Sequence, residues 1–252
     1  METFVVEGRW AVEALLDSDF DTLEVCLEKG RHRGLVSRLE QAEIPFQVLE
    51  AEEIEAVRGY IFHRGVFANV VRPEPEAPGS HFLAQAKKLV IPIDLADPGN
   101  LGTVIRSAVA FGADGVVLEK GKGADVYNAK CIRASARALF RVPVFEVESV
   151  EKSLDDWKKK GFTIFGMSLS HSSVPIREIS PVAASAILLG SEKEGLPSEM
   201  ENICNELVTI PMANGMDSLN VAASAAIAFW ELWRDELACG IDSERKKIRA
   251  KQ

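Results

Sequence analysis

Short runs of wholly apolar residues alternate with helical spans through the second two thirds of this chain. That alternation constrains its fold more than any other feature. LVIPI at 89–93, GVVL at 115–118 and AILL at 186–189 carry no polar side chain. A strand apolar on both faces must be covered on both, as in a parallel sheet flanked by helices. The pattern predicts strands over residues 88–93, 115–118, 142–147, 162–167, 184–189 and 207–210, and helices over 101–111, 129–140, 150–160 and 218–237.

Residues 71–80, VRPEPEAPGS, hold three prolines, a glycine and a serine, a composition that interrupts any helix or central strand. The chain therefore divides into a small domain over 1–75, a linker over 76–86, a larger domain over 87–240 and a basic tail over 241–252. The small domain also reads as α/β. Its helices are expected over 9–16, 35–41 and 52–57, and its strands over 22–27, 46–49 and 65–71.

With 252 residues, 47% hydrophobic and 27% charged, the chain can bury a core and is not disordered. No apolar run approaches the roughly 20 residues that cross a bilayer. The first residues lack the pattern of a signal peptide. Cys26, Cys131, Cys204 and Cys239 are scattered, and His32, His63, His81 and His171 are isolated. Neither set has metal-ligand spacing, so no metal is expected, and reduced thiols point to the cytoplasm.

The net charge of −9 counts against a nucleic-acid partner only on average. Residues 1–80 carry 8 basic and 16 acidic side chains. Within 120–141, by contrast, Lys120, Lys122, Lys130, Arg133, Arg137 and Arg141 are offset by a single acid, Asp125. A polyanion meets the local surplus rather than the total.

The common ligand motifs of α/β proteins fail here. GKGADV from Gly121 lacks the third glycine of a dinucleotide fingerprint, and GSEKEGLP from Gly190 has Leu-Pro where a phosphate loop needs lysine and a hydroxyl. Three other segments each follow a predicted strand, where open α/β sheets place their ligands. In DLADPGNLGTVIRSA (94–108), a Pro-Gly-Asn turn lets Asn100 cap a helix that carries Arg106 about two turns on. In LLGSEKEGLP (188–197), Gly190 and Gly195 permit close backbone approach to a ligand, with Glu192 between them. In IPMANGMDSLNVAASAA (210–226), Asn214-Gly215 turns the chain and Ser218 caps an alanine-rich helix whose first turn holds Asn220. Singly, each segment also reads as a helix cap or a solvated loop.

Together, the segments resemble the SpoU/TrmH branch of the SPOUT superfamily, the RNA ribose 2′-O-methyltransferases. PGNLGTVIRSA is similar to the family's first motif, GSEKEGL to its second, and IPM followed by SLNVAASAA to its third. RASARALFRVPV (133–144) resembles the segment between the first two. The pattern G-x-x-A-V-x-A-L from Gly8 and HRGVFANV at 63–70 are similar to the small substrate-binding domain of many members.

The resemblance implies an α/β fold in which a small α/β substrate-binding domain precedes a parallel-sheet methyltransferase domain with a deep trefoil knot. It implies S-adenosylmethionine as cofactor, and a homodimer in which motifs of both subunits reach each active site. By position it implies catalytic roles for Asn100, Arg106, Glu192, Ser218 and Asn220. It implies cofactor contacts at Ser168, Leu169, Gly190, Ile210, Met212 and Leu219. Lys122, Lys130, Arg133, Arg137 and Arg141 are then expected to contact RNA, with rRNA favoured over tRNA. Position 137, commonly small and often glycine in the family, is arginine in this chain. A guanidinium, with a reference pKa of about 12.5–13.8, is a poor base. Arg106 therefore reads as a phosphate clamp that stabilises a developing alkoxide, or as a desolvated base. A tRNA 2′-O-methyltransferase and a non-catalytic RNA-binding or assembly factor are the alternatives.

Overall fold

The computed structural model describes residues 1–191, 193–213 and 218–234. Its first sheet contains β1 (Thr3–Glu7), β2 (Thr22–Glu28), β3 (Phe46–Leu49) and β4 (Val66–Val71), in the order β1-β4-β2-β3. β4 runs antiparallel to β1 and β2, and β2 runs parallel to β3. The connections are α1 (Arg9–Leu16), α2 (Arg33–Gln41) and α3 (Ala51–Arg58).

The second sheet is wholly parallel. It contains β5 (Lys88–Pro92), β6 (Gly115–Glu119), β7 (Val144–Val147), β8 (Thr163–Met167), β9 (Val174–Pro175), β10 (Ser185–Leu189) and β11 (Glu206–Thr209). Their order is β7-β6-β5-β10-β8-β11-β9. All five residues of β5 and of β10 are buried, as strands covered on both faces require. The helices of this half are α4 (Ser80–Gln85), α5 (Pro98–Ala110), α6 (Ala129–Ala134), α7 (Val150–Lys159), α8 (Ser198–Ile203) and α9 (residues 221–234).

Where the structure departs from the sequence expectation, the causes are local. The helix expected over 129–140 stops after Ala134, because Ala136 (φ 47) and Arg137 (φ 83) adopt left-handed backbone. A 3-10 turn, Ala138–Arg141, then buries Ala138, Leu139 and Phe140. α5 is capped by Asp97 rather than Asn100: the Asn100 N–H donates to Asp97 Oδ1 at 2.8 Å, and Pro98 takes the first helical position. α9 is capped by Asn220 rather than Ser218, since Asn220 Oδ1 accepts from the Ala222 N–H at 2.9 Å. α4 lies inside the segment expected to be a linker, held by the buried Leu83. The basic tail over 241–252, the turn at Asn214-Gly215 and the expected helix beyond 234 lie outside the described residues.

One apolar core runs from Phe4 under the first sheet to Phe229 on α9. At the seam, Phe4 packs on Tyr127 with centroids 4.6 Å apart, and Phe20 meets Phe140 edge-on at 5.4 Å. Arg72 donates a forked pair of bonds to Asp125, at 2.9 and 3.1 Å, with its guanidinium 4.9 Å from the Tyr127 ring centroid. α5 and α6 approach closely at Gly102, where an added Cβ would lie 2.3 Å from the Cys131 carbonyl oxygen.

Candidate active site

β8, β10 and β11 lie side by side as β10-β8-β11, so the loops leaving their C-terminal ends converge. These loops and the start of α9 enclose a cavity of about 600 Å³, within the range of small-molecule sites. Ser168 and Leu169 follow β8, Gly190 follows β10, and Ile210 and Met212 follow β11. Ser218, Leu219 and Asn220 close the remaining side. Every cofactor residue expected from the sequence thus lines one cavity, together with two of the expected catalytic residues.

The loop after β10 owes its shape to two glycines. Ser191 and Gly195 exchange backbone hydrogen bonds at 3.0 and 3.1 Å, closing a tight reversal in which Gly195 has φ 69. A Cβ on Gly190 would lie 2.2 Å from the Gly195 carbonyl carbon. The close approach expected at Gly190 is therefore made by the loop's own backbone.

Glu201, on α8, also lines the cavity and accepts a hydrogen bond from Ser168 Oγ. Sequence reasoning missed it, because α8 is only six residues long and carries no helical repeat. Pro197 at its N-cap and Glu199 and Glu201 in its first turn are the local signals of a helix start.

Asn100 meets the cavity through Asn220. Asn220 Nδ2 donates to Asn100 Oδ1 at 3.0 Å, while Asn220 Oδ1 caps α9. One side chain thereby ties the first segment to the third. Asp97 supports the same corner. The Lys130 ammonium and the Asn100 N–H hold its carboxyl below the usual carboxylate range.

Arg106 is not brought to this cavity. It is exposed on α5, next to the buried Ile105, and among the described residues no hydrogen bond or ion pair engages it. Glu192 lies outside the described residues.

The basic stretch is less positive than its composition. Lys120 pairs with Glu148 and Lys122 with Glu119, each at 2.6 Å, and Lys130 pairs with Asp97. Arg133, Arg137 and Arg141 are exposed and have no carboxylate partner among the described residues. The unpaired charge therefore sits on three arginines. Among the described residues, no group of three His, Cys, Asp or Glu is placed to hold a metal ion.

Residues 87–230 match the SpoU rRNA Methylase family. The 23S rRNA (guanosine-2'-O-)-methyltransferase RlmB of Xanthomonas campestris is 30% identical over 242 residues, which is 92% of this chain and 96% of that protein. The crystal structure of the SpoU methyltransferase AviRb from Streptomyces viridochromogenes, in complex with AdoMet, has a TM-score of 0.78 at 23% identity, covering 93% of this chain and 91% of that one. An rRNA methyltransferase from Sinorhizobium meliloti has a TM-score of 0.75 at 25% identity, covering 91% and 86%.

Proposed function

The chain belongs to the SpoU rRNA methylase family, and on that premise we propose that it transfers a methyl group from S-adenosylmethionine to a ribose 2′-hydroxyl of rRNA. The observation that carries this reading is the cavity where the second and third motif segments meet and to which Asn220 ties the first.

The lining supports a cofactor of that kind. Leu169, Ile210, Met212 and Leu219 offer apolar contact, Ser168 and Ser218 offer hydroxyls, and Gly190 lines the cavity in a loop closed by the Gly195 backbone. When bound, S-adenosylmethionine supplies an activated methyl electrophile.

The chain's own residues then align a ribose 2′-oxygen and stabilise it as its proton leaves. Alignment of reacting groups is worth roughly 7–11 kcal/mol in favourable cases. Arg106 suits the second task as a fixed charge, because a guanidinium keeps its proton at neutral pH. It clamps the phosphate beside the target ribose and stabilises the developing alkoxide. Asn100 and Asn220 hold each other's amides, so they orient loops and substrate rather than move protons.

The position of Arg106 outside its own cavity supports a homodimer in which each subunit lends this arginine to the other. Leu219 and Trp230, 39% and 50% exposed beside the alanine-rich face of α9, support a surface that a second copy covers. Membership of the SpoU family supports the deep trefoil knot. Among the described residues no helix is long and apolar enough to cross a membrane, in keeping with action on rRNA in the cytoplasm.

Transfer from methyl-labelled S-adenosylmethionine to rRNA lacking modification tests the proposal. Label in alkali-resistant, 2′-O-methylated linkages is the expected result. Label confined to bases or to tRNA, or no transfer by cofactor-bound protein, overturns it.

A further inference from the structure

Trp10 is 64% exposed at the start of α1. Two guanidinium groups flank it: Arg9 Cζ lies 5.3 Å and Arg137 Cζ 5.6 Å from the indole centroid. Arg9 is also held by Glu13 at 2.8 Å, whereas Arg137 has no carboxylate partner among the described residues. Arg64 lies beside Gly8, where an added Cβ would lie 3.5 Å from Arg64 Nη1, but its charge is met by Glu7 at 4.0 Å, so the unpaired cation beside the indole is Arg137.

This cluster spans the seam between the sheets. α1 belongs to the first half, and Arg137 opens the 3-10 turn of the second. Arg137 holds φ 83, a left-handed conformation that glycine adopts freely and arginine does not. The half with 16 acidic and 8 basic side chains over residues 1–80 thus has a locally cationic, aromatic face at this edge.

We propose that Trp10, flanked by Arg9 and Arg137, is a stacking platform for an unpaired base of the RNA substrate, with Arg137 engaging the adjoining phosphate. An exposed ring stacks on any base, and a guanidinium serves ring face and phosphate alike. An apolar protein patch would match the indole but not the two charges beside it. Trp10 and Arg137 therefore hold the RNA at an unpaired base, while the chemistry lies elsewhere. The inference rests on the RNA methyltransferase reading above.

Steady-state methyl transfer to rRNA by Trp10→Ala, Trp10→Phe and Arg137→Gly tests it. Trp10→Ala is expected to raise KM for RNA about tenfold, and Trp10→Phe to restore most of the loss. Arg137→Gly is expected to raise KM severalfold while thermal stability stays level or rises, because glycine relieves the left-handed backbone. kcat at saturating RNA and affinity for S-adenosylmethionine should not change. RNA should quench tryptophan fluorescence in the parent protein and quench it less in Trp10→Ala. Unchanged KM and undiminished quenching in Trp10→Ala would overturn the platform and leave the enzyme reading intact. Failure of the parent protein to methylate any RNA would remove both.

Discussion

In the seven-stranded sheet all strands run one way and β5 and β10 are buried along their whole length. Polar side chains there can gather only beyond the strand ends, and the cavity of about 600 Å³ lies at that edge. In the four-stranded sheet the strands are mixed, and β3 is exposed or half-buried at every position. Its features of chemical interest lie instead on the surface, at the start of α1. A fully covered sheet concentrates its chemistry at one edge, where a motif in the sequence marks it. A half-covered sheet leaves its binding groups scattered, and only the fold brings them together.

The contrast is broken most severely at Gly190. Gly190→Val forces a side chain to within 2.2 Å of the Gly195 backbone. Calorimetry should then detect no S-adenosylmethionine binding, while RNA binding through the first half persists. Loss of both together would mean that the halves do not divide the work.

The shared-site dimer predicts rescue. Arg106→Ala and Gly190→Val are each inactive alone, but co-expressed subunits should regain methyl transfer, because one site of the mixed dimer has both an intact cavity and an intact arginine. No regain would place Arg106 with its own cavity.

Gly102→Ala probes the packing beneath the first motif. Its Cβ would meet the Cys131 carbonyl oxygen at 2.3 Å, and overpacking of this kind costs about 1–3 kcal/mol. Denaturant unfolding should show that loss; an unchanged midpoint would mean that α5 and α6 can part freely.

The smallest effect is a pH dependence at Asp97. Its folded carboxyl titrates below the ordinary value of about 3.9. The contribution is therefore present above that pH and is lost as pH falls through the folded value. The Tm difference between the parent protein and Asp97→Asn should be clear at pH 6 and shrink toward pH 3. A constant difference would detach the charge of Asp97 from its role at the corner.

The alternation of covered strands and helices made six of the seven strands of the second sheet legible, since period and burial agree along them; β9, only two residues long, carries no such pattern. β1 was not legible, because TFVVE is short and acquires its partner, β4, only through contacts such as Thr3 with Val71. The break after Ala134 was hidden too. Ala136 and Arg137 are good helix formers, and no glycine marks their left-handed backbone. Within the site, Gly190, Ile210, Met212, Ser218, Leu219 and Asn220 were legible from the second and third segments, Ser168 and Leu169 only from the resemblance, and Glu201 not at all. The separation of Arg106 from the cavity was not, because order along a chain carries no distance. Nor was the pairing of Lys122 and Lys130: Glu119 stands just outside the basic stretch, and Asp97 lies 33 residues before Lys130.

The most direct measurement is the kinetic split between Arg106→Ala and Trp10→Ala on the same rRNA. Arg106→Ala is predicted to lower kcat by about 10²–10³-fold at saturating RNA. Trp10→Ala is predicted to raise KM and leave kcat in place. A fall in kcat with Trp10→Ala, or near-normal turnover with Arg106→Ala, would contradict a division of labour between the edge of the parallel sheet and the face of the smaller one.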